Sequence, residues 1–135
     1  MILIKEAYVT LETAKLLKQY GFRAKCTACY RQDLNNQFEL VSGRIDFCAP
    51  RFNKCKSLPP LNAPTQQMAM AWIRERFNVD IFIEPGDKYS VRIPGYWLGI
   101  GYQKYEDACE AGIKYFLEKI IMKKLEENNN NGSEY

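Results

Sequence analysis

The sequence predicts an α+β fold, helices packed on small antiparallel sheets, and three observations carry that expectation. Amphipathic runs bracket short β-rich pieces. Turn dipeptides separate those pieces. A chain of 135 residues with 47% hydrophobic content is long enough for a real core and ordinary enough to fold around it. The clearest stretch runs from Ala63 to Lys124 and reads helix, two or three strands, helix: a C-terminal half of α-β-β(-β)-α order.

Thr10 opens the first helix as an N-cap, its hydroxyl placed to accept from an orphan backbone N–H. Leu11, Ala14 and Leu17 share one face, and Lys15, Lys18 and Gln19 lie off it. Gly21 suits the left-handed residue that ends a helix, and Phe22 can pack back on the last turn. Ala24 to Tyr30 then alternates: Ala24, Cys26, Ala28 and Tyr30 on one side, Lys25, Thr27 and Cys29 on the other. Asp33 to Gln37 predicts a turn, and Phe38 to Val41 a returning strand. From Ser42 to Asn62 the periodicity fails, and Gly43, Pro50, Pro59 and Pro60 mark a long irregular connection.

Pro64 predicts the first position of the next helix, where its missing N–H costs nothing. Met68, Ala69, Trp72, Ile73 and Phe77 form its buried stripe, and Asn78 ends it. Strands follow at Val79–Glu84, Tyr89–Ile93 and Tyr96–Tyr102, parted by Pro85-Gly86-Asp87 and Pro94-Gly95. The last helix runs from Tyr105 to Lys124, with Glu106 and Asp107 at its positive end and Lys123 and Lys124 at its negative end. Ala108, Cys109, Gly112, Ile113, Tyr115, Phe116 and Ile120 give it a wide apolar face. The expectation is one domain over residues 1–125, with halves 8–42 and 63–124 joined by 43–62, and a disordered tail over 126–135. Both halves contain helix and strands, and Leu11-Glu-Thr-Ala14 echoes Tyr105-Glu-Asp-Ala108, so an internal duplication is one reading.

Composition excludes more functions than it suggests. Histidine is absent, which removes the commonest general base and the commonest neutral metal ligand. Neither GxxxxGK[ST] nor GxGxxG occurs, and Gly99-Ile-Gly101 sits in a strand instead of before a helix where phosphate binds. Glu106, Asp107 and Glu110 cluster at a helix start, where they serve the dipole better than they serve acid–base work. No apolar run approaches the roughly 18 residues of a membrane span. The first ten residues, MILIKEAYVT, lack the basic region and cleavage site of a signal peptide, so a cytoplasmic protein with reduced thiols is expected. No cofactor and no catalytic residue is expected.

Three site hypotheses remain beside simple core cysteines. Cys26-Thr-Ala-Cys29 with Cys48 and Cys55 offers four thiolates for a zinc-stabilised domain. That knuckle conflicts with the strand at the same residues, because positions three apart on a strand face opposite ways. Residues 1–60 hold ten Lys/Arg against five Asp/Glu, whereas residues 61–135 hold nine against eleven. The basic excess peaks where Arg44, Arg51, Lys54 and Lys56 interleave with Phe47 and Phe52, a pattern suited to phosphates and stacked bases. The order helix, three strands, helix is also that of a double-stranded-RNA-binding domain. Those domains begin their last helix with lysines, whereas this one begins Lys104-Tyr-Glu-Asp107. Tyr96, Trp97, Tyr102 and Tyr105 crowd the last strand, either as a partner-binding surface at Tyr96, Trp97 and Tyr102 or as cover for the sheet edge.

Three blocks in order carry a resemblance: Tyr8 to Phe22, Ala63-Pro-Thr-Gln-Gln67 with Trp72-Ile-Arg-Glu75, and Tyr105-Glu-Asp-Ala108 with Glu110-Ala-Gly112. Over Tyr8 to about Lys119 the chain resembles small uncharacterised proteins encoded by phages and integrated mobile elements of gut bacteria. The resemblance implies a cytoplasmic accessory protein of phage type and transfers no activity, cofactor or catalytic residue. The cysteine-rich middle and the asparagine tail depart from that pattern. The leading expectation is a non-enzymatic binding module for a protein partner or its own copy; nucleic acid through Arg44, Arg51, Phe52, Lys54 and Lys56 is the alternative.

Overall fold

A computed structural model describes residues 6–32, 34–35, 37–42 and 61–132, with side chains through Glu127. It is an α+β protein with two small antiparallel sheets. The chain divides into two compact units, Met1–Met68 and Ala69–Tyr135. The division falls inside a helix and not in the 43–62 segment, whose residues 43–60 lie outside the described ones.

In the first unit α1 spans Leu11–Gln19, and Thr10 Oγ1 accepts from the Thr13 N–H at 3.3 Å as its N-cap. Gly21 at φ 96° lets the chain close a Schellman motif. There the Phe22 N–H donates to Leu17 O at 2.9 Å and the Gly21 N–H to Lys18 O at 3.2 Å. Strands β1 (Ala28–Gln32), β2 (Phe38–Ser42) and β3 (Leu61–Asn62) form a sheet in the order β2-β1-β3. The first strand starts four residues later than its alternation suggests, because the ladder with β2 runs only from Ala28↔Ser42 to Gln32↔Phe38. Ala28 and Cys29 are both fully buried, which alternation along one exposed face would not give. As the middle strand, β1 is flanked on both sides, and its Cys29 lies opposite Asn62 of β3.

The chain just after β3 is tied in by three backbone bonds. Ala63 N–H donates to Ala28 O at 3.0 Å, then Val9 N–H donates to Pro64 O at 3.1 Å and Gln66 N–H to Ala7 O at 2.8 Å. Tyr30 reaches across from β1 and donates its hydroxyl to Val9 O at 2.6 Å. Helix α2 (Gln66–Phe77) starts here with Thr65 as its cap, whose Oγ1 accepts from Met68 N–H at 3.2 Å. Pro64 therefore stands one residue outside the cap, not at the first helical position, because a hydroxyl that satisfies an orphan donor makes the better cap.

In the second unit α2 buries Ala69, Met70, Ile73 and Phe77, with Trp72 edge-on to Phe77 at 5.4 Å. Asn78 ends it at φ 57°, a conformation asparagine tolerates. Strands β4 (Phe82–Glu84), β5 (Tyr89–Ile93) and β6 (Trp97–Tyr102) form an antiparallel meander in the order β4-β5-β6. The link from β5 to β6 is a Pro94-Gly95 turn, with Gly95 at φ 81° and the Tyr96 N–H donating to Ile93 O at 2.9 Å.

The long C-terminal helix has three parts: α3 (Tyr105–Tyr115), a π-helical segment (Phe116–Ile120) and α4 (Ile121–Gly132). The wide middle segment has a reason in the sequence. Buried residues come in adjacent pairs four apart: Ala108-Cys109, Gly112-Ile113, Phe116-Leu117 and Ile120-Ile121. In an α-helix each step of four overshoots a full turn by about 40°, so a four-residue repeat rotates steadily off its face. A segment with i→i+5 bonds turns less per residue and brings the later pairs back. Gly112 lets the helix approach the sheet, since a Cβ there would lie 2.7 Å from Ile81 Cγ2 and 2.8 Å from Val91 Cγ2. The helix continues to Gly132, past the boundary expected at Lys124, as helical propagation fixes one residue per added bond. Among the described residues no helix is long and apolar enough to cross a membrane.

Candidate interaction surface

The second sheet has two unlike faces. One looks to the helix and is filled: Val91 and Ile93 are buried, and Gly112 of α3 touches Val91 and Ile81. Trp97 belongs to this side. Its indole stacks on Tyr115 at 4.3 Å with 5° between planes, and it lies over Gly99, where a Cβ would come 2.5 Å from the ring. Only glycine at 99 leaves that ring its place.

The opposite face carries Phe82, Arg92 and Leu98 side by side, since Phe82↔Arg92 and Arg92↔Leu98 are register partners. Ile100 follows two positions along β6. Phe82 is 42% exposed, Leu98 61% and Ile100 75%, large apolar side chains that the described fold does not cover. Arg92 sits between them, its guanidinium 4.8 Å from the centre of the Phe82 ring and its Nε 2.7 Å from Glu84 Oε1. The charge of this face is thus paired within the face. A bulge interrupts the ladder between Tyr89 and Val91, where Ser90 is opposed by both Ile100 and Gly101, and Gly101 takes φ 92°.

The aromatic residues named from the sequence are separated by this arrangement. Tyr96 lies beneath Lys124, whose Nζ is 5.5 Å from the ring centre, and its hydrogen bond holds the Lys124 ammonium above its ordinary range. Trp97 is committed to Tyr115, and Tyr102 is half-buried opposite Tyr89. Tyr105 meets Tyr89 edge-on at 5.9 Å. Tyr96 and Trp97 therefore meet the C-terminal helix, and Tyr105 meets β5. Phe82, Leu98 and Ile100 were not singled out from sequence, although the alternation in Trp97-Leu-Gly-Ile-Gly-Tyr102 was a usable signal: placing Trp97 and Gly99 inward sends Leu98 and Ile100 outward.

The other sequence candidates divide similarly. Arg44, Arg51, Phe52, Lys54 and Lys56, with Phe47, Cys48 and Cys55, lie outside the described residues. Cys26 and Cys29 are buried, and the Cys26 thiol donates to Ala24 O at 3.4 Å. Among the described residues no three His, Cys, Asp or Glu side chains are grouped to hold a metal ion. Cys109 is fully buried on α3; desolvation pushes its thiol up to about 11, partly opposed by a hydrogen bond with Tyr105 and reinforced by Glu106 and Glu110. A thiol held so far in its protonated form is a poor nucleophile. Glu106 and Asp107 occupy the first turn of α3, as a favourable dipole position requires.

Compared with known proteins, the chain matches no family model, and neither a curated protein nor a solved structure matches it.

Proposed function

We propose that this chain is a non-enzymatic, phage-type accessory protein of the cytoplasm that works by binding another protein chain through the outer face of β4-β5-β6. The observation that carries the reading is the grouping of Phe82, Leu98 and Ile100 around a self-paired Arg92 on one sheet face. Monomeric proteins scatter exposed apolar residues singly, and aromatic-plus-arginine groups are favoured at binding sites. The phage-type origin rests on the sequence resemblance alone. A photo-crosslinking residue placed at Ile100, with Lys119 as the control position, tests the surface in cells expressing the chain. A discrete protein adduct from position 100 and none from 119 is expected; no adduct from either position refutes the reading.

A nucleic-acid function keeps the support of the basic excess in residues 1–60 and the aromatic-basic run from Arg44 to Lys56. Fluorescence anisotropy with single- and double-stranded DNA and RNA at two salt concentrations decides it. Affinity that falls steeply with salt supports it, and no binding at the lower salt removes it.

A further inference from the structure

We infer that the chain that meets the β6 edge of this surface is a second copy of the protein, joined edge to edge by antiparallel pairing of β6 with β6 about Gly99; the inference rests on the binding-surface reading above. The two borders of the second sheet differ. Strand β4 is three residues long, carries Glu84 and runs straight into Pro85, all features that discourage further pairing. Strand β6 is six residues long, Trp97-Leu-Gly-Ile-Gly-Tyr102, with neither charge nor proline, in a chain that is 26% charged. Among the described residues no strand pairs with its outer side. One border is guarded and the other is open.

The open border is complementary to itself. With the two-fold axis at Gly99, Leu98 of each copy stands directly across from Ile100 of the other. Directly opposed residues in an antiparallel pair project to the same side and lie about 5 Å apart, close enough to cover one another. The two most exposed large apolar side chains of the second unit are thereby set side by side twice, as an isologous contact requires. A slip of one residue separates Leu98 from Ile100 and puts the two helix-bearing faces on opposite sides. Charge permits the contact: β6 has none to repel its copy, and Arg92 on the neighbouring strand is already neutralised by Glu84.

The Gly101 bulge limits the paired stretch to the residues around Gly99. So short a pairing buries less than the roughly 1,200 Å² of a standard interface, which makes the dimer transient and concentration-dependent.

Sedimentation equilibrium of the full chain from about 1 μM to about 1 mM covers that regime. A reversible monomer–dimer equilibrium is expected. The variant L98K/I100K sets like charges across the axis and should weaken it about tenfold or more. The variant L98K/I100E sets a lysine of each copy against a glutamate of the other in the same register and should restore it. A monomer at every concentration, a dimer indifferent to L98K/I100K, or a failure of L98K/I100E to exceed L98K/I100K each overturns the proposal. Circular dichroism checks that the variants fold. Should one unfold, a photo-crosslinker at Leu98 in the otherwise unchanged chain decides instead: an adduct to Ile100 of a second copy supports the pairing, and its absence overturns it. A monomer whose position-100 crosslinker captures a different protein removes the second copy while leaving the binding surface. A monomer with no adduct removes both.

Discussion

The two units solve the same problem, a three-stranded antiparallel sheet, by opposite routes. In the second, β4, β5 and β6 lie in chain order, each joined to the next by a short turn rich in proline and glycine. In the first, the earliest strand is in the middle, and its second neighbour is β3, whose Leu61 meets Tyr30 across a long excursion of chain. The meander is specified locally, whereas the first sheet depends on closing a loop before its last contacts can form. Different middle strands also mean that the shared helix-and-strand content of the halves does not extend to their sheet order. The first unit compensates with ties: Tyr30 to Val9, and the backbone bonds of residues 63–66 to Ala28, Val9 and Ala7.

Four measurements would break or sharpen that contrast. The largest effect is expected in the second unit, which rests on a packed aromatic core. Phe116 is fully buried and 5.3 Å from Phe77, so Phe116→Ala should cost about 3–5 kcal/mol in urea unfolding. Hydrogen exchange then tells whether the loss is concentrated in β5, β6 and α3; equal loss in β1 would count against two separately cohesive units.

Next comes a pH effect in the same unit. The Cys109 thiol has an ordinary value of 9.0, raised to about 11 in the fold, chiefly by burial. Below the lower value both folded and unfolded chains keep the proton. Above it the unfolded chain releases the proton first, so this contribution to stability falls as pH rises, by about 1.4 kcal/mol per pH unit until the folded thiol titrates. Denaturation series on the parent and Cys109→Ala should diverge in slope above pH 9.0 and run parallel below it. Parallel slopes throughout would show that the thiol is not desolvated.

In the first unit Tyr30→Phe removes one hydroxyl from the closing tie and leaves Val9 O without that donor. A cost of about 1 kcal/mol, up to about 3 if the carbonyl stays dry, is expected from thermal or chemical melts. No change at all would mean that the tie contributes nothing to holding the sheet closed. The smallest effect should be common to both units. Arg31–Glu39 at 3.3 Å and Arg92–Glu84 at 2.7 Å each join an exposed pair on one sheet. Double-mutant cycles on either should give less than about 1 kcal/mol and shrink with added salt.

The uneven legibility of the chain follows from the same contrast. Pro85-Gly86-Asp87, Pro94-Gly95 and the alternation of Tyr89–Ile93 announce the meander, and the expected strands match to within three residues. Thr10, Gly21 and Phe22 announce both ends of α1, because capping chemistry is local. The short β3 had no such signal. Two residues carry no periodicity, and Leu61 is a strand residue only because Tyr30 is opposite it. The π segment was written in the four-residue spacing of buried pairs, but a 3.6-residue period picks out Ile120 and passes over Leu117 and Ile121. The exposed face was half legible: alternation places Leu98 and Ile100 together, while Phe82 joins them only through the Arg92 register.

The wide turn at Phe116–Ile120 also acts as a vernier for everything downstream. Were the same residues bonded as an ordinary α-helix, the following segment would swing by about 100° around its axis, the rotation of the one spare residue that the wide turn absorbs. Lys124, which now rests over Tyr96, would point elsewhere, and Ile121 would leave the core. The spare residue is thus an angular setting: it keeps the apolar packing in phase and fixes the azimuth at which the end of the chain leaves the sheet.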